Sequence, residues 1–463
     1  MGSPANVLIL GAGPTGLGAA WRLREIGHTA WRGVEASSGP GGLARSVTDE
    51  RGFTWDLGPH VLHSHYPYFD EVMDRVLPGE WEERDRGAFV YLERRFVPYP
   101  LQENLGSLPP LSMLRCLSSL LVARFAKARG ASAAPDFADW IDRQFGSGLA
   151  KLFMLPYNRK VWTCDPGEMS VDWIRERVPT VRLRRLARSV LLRRDVTDWG
   201  PNSRFRYPRR GGTGAIWNAV HRSLPTGSFN FGKEIVRIEA RARIAHCTDG
   251  EAIPYDLLLS TAPLDRLATM LQGEVAALSA ARRLRRSTTT LLGLGFRDAV
   301  PEALRGKSWV YFPESRFPFY RLTVLSNFSP ANVPPGEPAW SILCEVGERP
   351  GELEDSEELA VRTLGALRNA NLVPGEAPAS TWRLRLPYGY PVPSLERDEL
   401  LDAADTALRP LGIFSRGRFG GWKYEVSNQD HSFMQGVEFV DHVLRGEPER
   451  TYPTPERVNS SGM

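Results

Sequence analysis

The stretch Val7-Leu8-Ile9-Leu10-Gly11-Ala12-Gly13-Pro14-Thr15-Gly16-Leu17-Gly18 decides the fold. Four apolar residues read as a buried parallel strand. Gly11, Gly13 and Gly16 follow as G-x-G-x-x-G, and residues 17–26 read as a helix. The three glycines serve a tight turn, backbone approach to a pyrophosphate, and close helix–strand packing. The helix N-terminus offers free N–H groups to phosphate. A second strand over 30–34 ends at Glu35, roughly 20 residues beyond the glycines, where a ribose hydroxyl is expected. Alone, the glycine pattern is weak. Between a strand and a helix, with a distal carboxylate, it points to a dinucleotide; the alternative is a glycine-rich turn that binds nothing.

At 463 residues the chain is too long for one simple core, so two or three domains are expected. Its 42% hydrophobic and 24% charged residues are those of an ordinary globular protein. A net charge of +4 is too mild to argue for nucleic acid and suits an anionic small molecule. Cys116, Cys164, Cys247 and Cys344 are scattered without a C-x-x-C, which suggests neither zinc nor a disulfide framework and fits a reducing cytoplasm. The sequence offers no ligand cluster for a catalytic metal. No apolar run approaches ~20 residues, and the start has no basic and apolar leader pattern, so neither a membrane span nor a secretory signal is expected. Residues 113–129 carry leucines on one helix face and Arg or Lys on the other, and 182–194 are densely basic. Both read as solvated helix faces rather than membrane or nucleic-acid surfaces.

Further along, residues 89–91 and 96–99 form an expected hairpin, and 137–154 read as two helices broken at Gly146-Ser147-Gly148. Residues 229–247 read as a β-meander, and 257–263 as a buried strand returning to the nucleotide domain. Strands over 288–296, 309–312, 320–326 and 340–346 suggest a second, antiparallel sheet. The tail from 446 to 463 is polar and is expected to be frayed.

Gly39-Pro40-Gly41-Gly42-Leu43-Ala44-Arg45 resembles the second glycine motif of amine-oxidase-type flavoproteins, where it adds N–H donors to the FAD pyrophosphate. Longer strings are more specific: WDLGPHVLHSHYPYFDEV, FVPYPLQENL, PYNRKVW with MSVDWIRERV, WGPNSRFRYPRRGGTGAIW, WVYFPE with FPFYR, GYPVPSLER, and SRGRFGGWKYEVSNQDHSFMQGVEFVD. Over nearly its full length the chain resembles the UDP-galactopyranose mutase family, in its eukaryotic-type branch. The resemblance implies an α/β fold, with a Rossmann-like FAD-binding domain, an inserted helical domain and an antiparallel sheet domain. The implied segments are 1–98 (FAD domain), 99–200 (helical), 201–264 (return to the FAD domain), 265–400 (antiparallel sheet), 401–446 (C-terminal FAD segment) and 447–463 (tail).

The family's reaction, as the resemblance implies it, converts UDP-galactopyranose to UDP-galactofuranose with no net oxidation. N5 of reduced FAD is the nucleophile toward the anomeric carbon, UDP leaves, and UDP returns after the ring recloses. Arg321 and Arg177 match the pyrophosphate arginines, whose guanidinium forks suit phosphate. Tyr311, Tyr390 and Tyr424 match phosphate-contacting tyrosines, and Tyr99, Gln102, Phe153, Asn158 and Trp162 match the uridine pocket. Asn202 matches a loop over the galactose end, and Trp309 a residue near the sugar. Arg418, Asn428, Gln429 and Ser432 match the C-terminal FAD motif, joining Gly41, Gly42, Leu43 and Arg45. His60 matches the histidine against the isoalloxazine, and Arg86 an arginine used when NADPH reduces the flavin.

The chain departs from the family at several points. Gly58-Pro59-His60 replaces Gly-Gly-His, and Pro59 should stiffen a loop that must switch on reduction. His63 replaces an aromatic residue, Phe328 a tyrosine near the phosphates, Leu101 a phenylalanine by the uridine pocket, and Ala88 a serine near the NADPH arginine. These drifts leave open a different sugar or nucleotide. Two further classes stand as rivals: an amine- or protoporphyrinogen-oxidase-like redox enzyme, and a non-catalytic FAD scaffold. Neither needs a pyrophosphate clamp.

Overall fold

The all-apolar strand Val7–Leu10 is the centre of a five-stranded parallel sheet. Its neighbours are Leu257–Ser260 on one side and Trp31–Glu35 on the other. Ile413–Ser415 and Phe229–Phe231 form the edges, so segments far apart in sequence build one layer. The computed structural model describes residues 4–128, 133–174, 178, 180–192, 203–273 and 275–460. The first helix spans Pro14–Glu25. It starts three residues earlier than the apolar periodicity implies, because Pro14 at the first helical position has no N–H to satisfy and a preset φ.

Helix Gln429–Arg445 packs across that first helix at glycines. A Cβ on Gly18 would meet the Phe433 carbonyl oxygen at 2.2 Å, and one on Gly436 the Thr15 carbonyl oxygen at 2.0 Å. The backbones touch there, and the two N-termini share one side of the sheet's end.

A seven-stranded sheet forms the second layer. Its order is Ser380–Leu386, Thr288–Phe296, Trp340–Glu348, Arg321–Val324, Trp309–Tyr311, Ala88–Leu92 and Arg95–Pro98. It is mixed rather than purely antiparallel, since Trp309–Tyr311 runs parallel to Ala88–Leu92. The expected hairpin therefore exists, turning at Glu93 and Arg94 with positive φ, but it belongs to this sheet and not to the first segment's FAD layer. Alternation of apolar residues reports a half-buried strand, not which sheet it joins. The same reason explains the meander. Phe229–Phe231 pairs with Trp31–Glu35 in the parallel sheet, while Ile235–Glu239, Ile244–Cys247 and Ala252–Pro254 form a separate antiparallel sheet.

A helical layer of Pro110–Ala128, Phe137–Leu149, Leu155–Trp162 and Leu183–Leu192 shares a core with Val90, Leu92, Val97 and Tyr320 of the seven-stranded sheet's region. The expected break is present, with Gly146 at φ 76° and ψ 158°.

Through residue 460 the tail is not frayed. Residues 451 and 452 are buried, and Pro455–Ser460 is helical. Glu449 pairs with the fully buried Arg416 (Nε–Oε1 2.6 Å, Nη2–Oε2 2.7 Å) and with Arg409 (2.8 Å). Polar residues there are counterions to a buried guanidinium, which composition does not reveal. Burial alone would raise the Glu449 carboxyl; Arg416 and Arg409 outweigh it and hold it below the usual range. Glu449→Gln removes one of two carboxylates on the buried Arg416, whose Nη1 keeps Asp405 at 2.8 Å, and is expected to cost about 2 kcal/mol by thermal or denaturant unfolding. A carboxyl depressed in the folded state stabilises above its unfolded pKa and loses that contribution as pH falls. The deficit of the variant is therefore expected to shrink below about pH 4.

Candidate functional site

The phosphate end is built by two facing glycine turns. Gly41 N–H donates to the Ala12 carbonyl (2.8 Å), and a Cβ on Gly42 would meet the Gly13 Cα at 3.2 Å. Ala12 N–H donates to Glu35 Oε2 (2.7 Å), while Ser37 N–H and Oγ donate to Oε1 (2.8 and 2.7 Å). The carboxylate is thus fixed beside the glycine turn, where a ribose needs it.

Beyond this cradle a cavity is lined by Leu43, His60, Thr289, Arg321, Tyr390 and Arg418, among others. Arg321 is its anchored cation. Glu345 takes both Nε and Nη2 of the fork, the latter at 2.8 Å, and also accepts from the Tyr320 hydroxyl (3.0 Å). Burial opposes the charged form, but Glu345 outweighs it, so Arg321 stays fully cationic. Arg418 is the second guanidinium. It donates to Ser427 Oγ (2.9 Å) and the Gly389 carbonyl (3.0 Å), and lies 5.0 Å from the Tyr390 ring centroid. Between two such cations, burial and the charges of Arg418 and Arg321 push the His60 imidazole down to about 3. His60 is therefore a neutral ring at physiological pH. Its loop is held by Thr213, whose Oγ1 lies 2.5 Å from the His60 carbonyl and 3.1 Å from Asp56 Oδ2.

Aromatic rings continue the wall edge to face. Tyr99 meets Tyr311 at 5.1 Å and Tyr311 meets Tyr157 at 5.5 Å, while Tyr157 stacks on Phe153 at 5.4 Å. On the other side Trp162 packs against Tyr424 (4.9 Å) and Tyr390 (5.6 Å). Lys160 ties this wall to the sheet. Its ammonium donates to the carbonyls of Phe312 (2.8 Å), Glu314 (2.6 Å), Phe317 (2.7 Å) and Phe319 (3.2 Å).

This cradle, cation pair and aromatic wall can be set beside known proteins. A family model for flavin-containing amine oxidoreductases matches residues 14–414. A crystal structure of reduced UDP-galactopyranose mutase matches with a TM-score of 0.94 and 43% identity, covering 99% of this chain and 98% of that one. The chain belongs to the UDP-galactopyranose mutase family. It is thus an isomerase of the flavin-dependent sugar mutase type, and FAD serves it in the reduced state. Cyclohexylamine oxidase from Brevibacterium oxydans IH-35A shares the fold alone, at TM-score 0.66 and 12% identity over 96% of this chain and 99% of that one. Protoporphyrinogen oxidase 2, chloroplastic/mitochondrial, of Arabidopsis thaliana is 23% identical over 302 residues. That match takes in 58% of this chain, and the chain spans about 59% of the length of that relative.

The mutase-family residues present here fit FAD. Arg45 Nε and Gln429 Nε2 are buried without a hydrogen-bond partner. Trp217 Nε1 donates to Gln429 Oε1 (2.7 Å), which turns the unpaired amide nitrogen the other way. Asn428 caps helix Gln429–Arg445, its carbonyl accepting from Ser432 N–H (2.8 Å), so that helix presents its positive end with these residues.

Other expected residues divide into groups. Arg177 and Asn202 lie outside the described residues. Asn158 and Trp162 satisfy each other: Trp162 Nε1 donates to Asn158 Oδ1 (3.0 Å), and Asn158 Nδ2 donates to the Met154 carbonyl (2.8 Å). Gln102 is buried in the helical layer. Trp309 lies in an aromatic cluster with Phe205 and Phe328, and Arg86 sits 5.5 Å from its ring centroid. Phe328 is fully buried there, in the core cluster against which Tyr99 and Tyr311 pack.

Sequence reading missed Glu345, Thr289 and Lys160. Glu345 had a signal, a carboxylate flanked by Cys344 and Val346 inside the buried strand Trp340–Glu348. It also missed a cluster of His65, Asp430 and His431 whose ligand atoms lie close together, where no metal-type grouping was expected. Asp430 Oδ2 there accepts from the backbone N–H and Nδ1 of His65 (3.1 and 2.8 Å). Burial would raise the Asp430 carboxyl, but His431 and His65 outweigh it and hold it far below the usual range.

Glu345→Gln removes the charge that orients Arg321. In FAD-loaded protein, UDP affinity by titration is expected to fall about 10–100-fold, the worth of a charge-assisted hydrogen bond. Unchanged affinity would mean that Arg321 orients without it.

Proposed function

We propose that the protein interconverts the pyranose and furanose forms of UDP-galactose. The observation that carries this reading is the Arg321–Glu345 fork, set in one cavity with Arg418 and neutral His60 beneath a tyrosine wall. When bound and reduced, FAD supplies an electron-rich N5 as nucleophile for the anomeric carbon. The chain's own task is to hold the leaving diphosphate and keep it for return. Arg321, held by Glu345 through Nε and Nη2, offers its remaining Nη1 edge to phosphate and stabilises charge as the glycosyl bond breaks. By the family match, Arg177 is the second pyrophosphate arginine and Asn202 serves the galactose end. Tyr311, Tyr390 and Tyr424 supply phosphate hydroxyls, and Tyr99, Gln102, Phe153, Asn158 and Trp162 enclose the uridine. The aromatic wall excludes water, which would otherwise capture an activated sugar carbon.

The 43% identity to UDP-galactopyranose mutase over 99% of this chain supports UDP-galactose itself over an altered sugar nucleotide. Four free, buried cysteines support a reducing, cytoplasmic setting. Arg86, beside Trp309 and close to the site, is the residue we assign to NADPH-driven flavin reduction.

Dithionite-reduced enzyme is expected to convert UDP-galactopyranose to the furanose, read by chromatography, while oxidised enzyme does not. Arg321→Lys keeps the charge but loses the fork, and kcat is expected to fall about 10²–10³-fold. Equal conversion by the oxidised form, or steady oxygen consumption with an amine and no sugar isomerisation, contradicts the reading. Arg86→Ala is expected to slow reduction by NADPH at least about tenfold, the loss of a single phosphate or carboxylate contact. Turnover of the dithionite-reduced variant should stay at the wild-type rate.

A further inference from the structure

Two helices carry most of the exposed apolar bulk of the described residues. Of thirteen large hydrophobic side chains open to solvent, Leu111, Leu114, Leu121, Val122 and Phe125 stand on helix Pro110–Ala128, each 56–69% exposed. At 100° per residue they fall in one stripe about 100° wide. The other side of that helix, with Ser112, Cys116 and Leu120, is buried. Leu183, Leu191 and Leu192, 55–78% exposed, stand on helix Leu183–Leu192. The two helices are neighbours. Arg124 Nη2 donates to the Val181 carbonyl (3.0 Å), and Leu120 and Leu186 share one core.

The charge of this face is one-sided. Neither 104–135 nor 178–192 contains a single Asp or Glu. Arg115, Arg182, Arg184 and Arg188 are exposed along it. A solvated helix face mixes signs and hides its leucines, so the sequence reading does not account for this surface.

We propose that this face docks on an anionic lipid bilayer. Exposed Phe, Val and Leu enter the acyl boundary while flanking arginines meet headgroup phosphates, the pattern of an in-plane interfacial helix. No helix among the described residues is long and apolar enough to cross a membrane, so the contact lies in the surface. A second copy fits less well, because a two-fold contact would set this basic face against itself. A nucleic acid fits less well because the stripe presents five large apolar side chains where phosphates would have to lie.

The test uses full-length, FAD-loaded enzyme in vesicle sedimentation. Vesicles of equimolar phosphatidylglycerol and phosphatidylcholine are compared with pure phosphatidylcholine. Binding is expected to be at least about tenfold greater on the anionic vesicles and to weaken with salt. The double variant Val122→Glu/Phe125→Glu is expected to lose that binding while keeping its melting temperature and its turnover of soluble substrate. Both positions are 69% exposed and outside the catalytic cavity. Absent preference for the anionic vesicles overturns the proposal. So does sedimentation velocity showing a wild-type dimer that the double variant dissociates, which would assign the face to a second copy.

Discussion

The arrangement depends on a backbone contact between two helices. Pro14–Glu25 and Gln429–Arg445 meet at Gly18 and Gly436, with no room for a Cβ on either. That contact brings two helix N-termini from opposite ends of the chain to one place, each with its free N–H groups. One faces the glycine turns at Gly13 and Gly42; the other begins at Asn428. An elongated anionic cofactor is thus gripped at both ends by backbone dipoles, and few charged side chains are needed along its length.

The second layer supplies what the first lacks. Backbone dipoles suit a resident cofactor, but a substrate that must leave needs a cation whose aim is fixed and whose outer edge is free. Arg321 has that through Glu345, and it stands two residues along its strand from Thr323, which is buried. A guanidinium held by a buried carboxylate is costly to make and rigid once made. His60, between Arg321 and Arg418, is left uncharged by the same crowding of positive charge.

Much of this was legible in the sequence, and for identifiable reasons. The Val7–Leu10 strand, the two glycine turns and Glu35 are local patterns with a fixed spacing, and the structure keeps them together. Gln429 and Ser432 could be placed because they sit in a long specific string. What alternation could not say was partnership: Ala88–Leu92 and Phe229–Phe231 each joined a sheet other than the expected one, since pleat period carries no address. Glu449 looked like tail polarity and proved to be a counter-charge of Arg416, beside Asp405. Phe328 looked like a lost hydroxyl and is buried against Phe205 and Tyr207. In both cases the decisive neighbour lies far away in sequence.

Lys160 carries a mechanical consequence. Its four carbonyl partners, from Phe312 to Phe319, tie helix Leu155–Trp162 to the segment between the strands of Tyr311 and Arg321. Tyr157 and Trp162 therefore move as one body with Tyr311 and Arg321. Under the proposed function, any breathing that admits a nucleotide is then hinged at some other joint than the one Lys160 bridges.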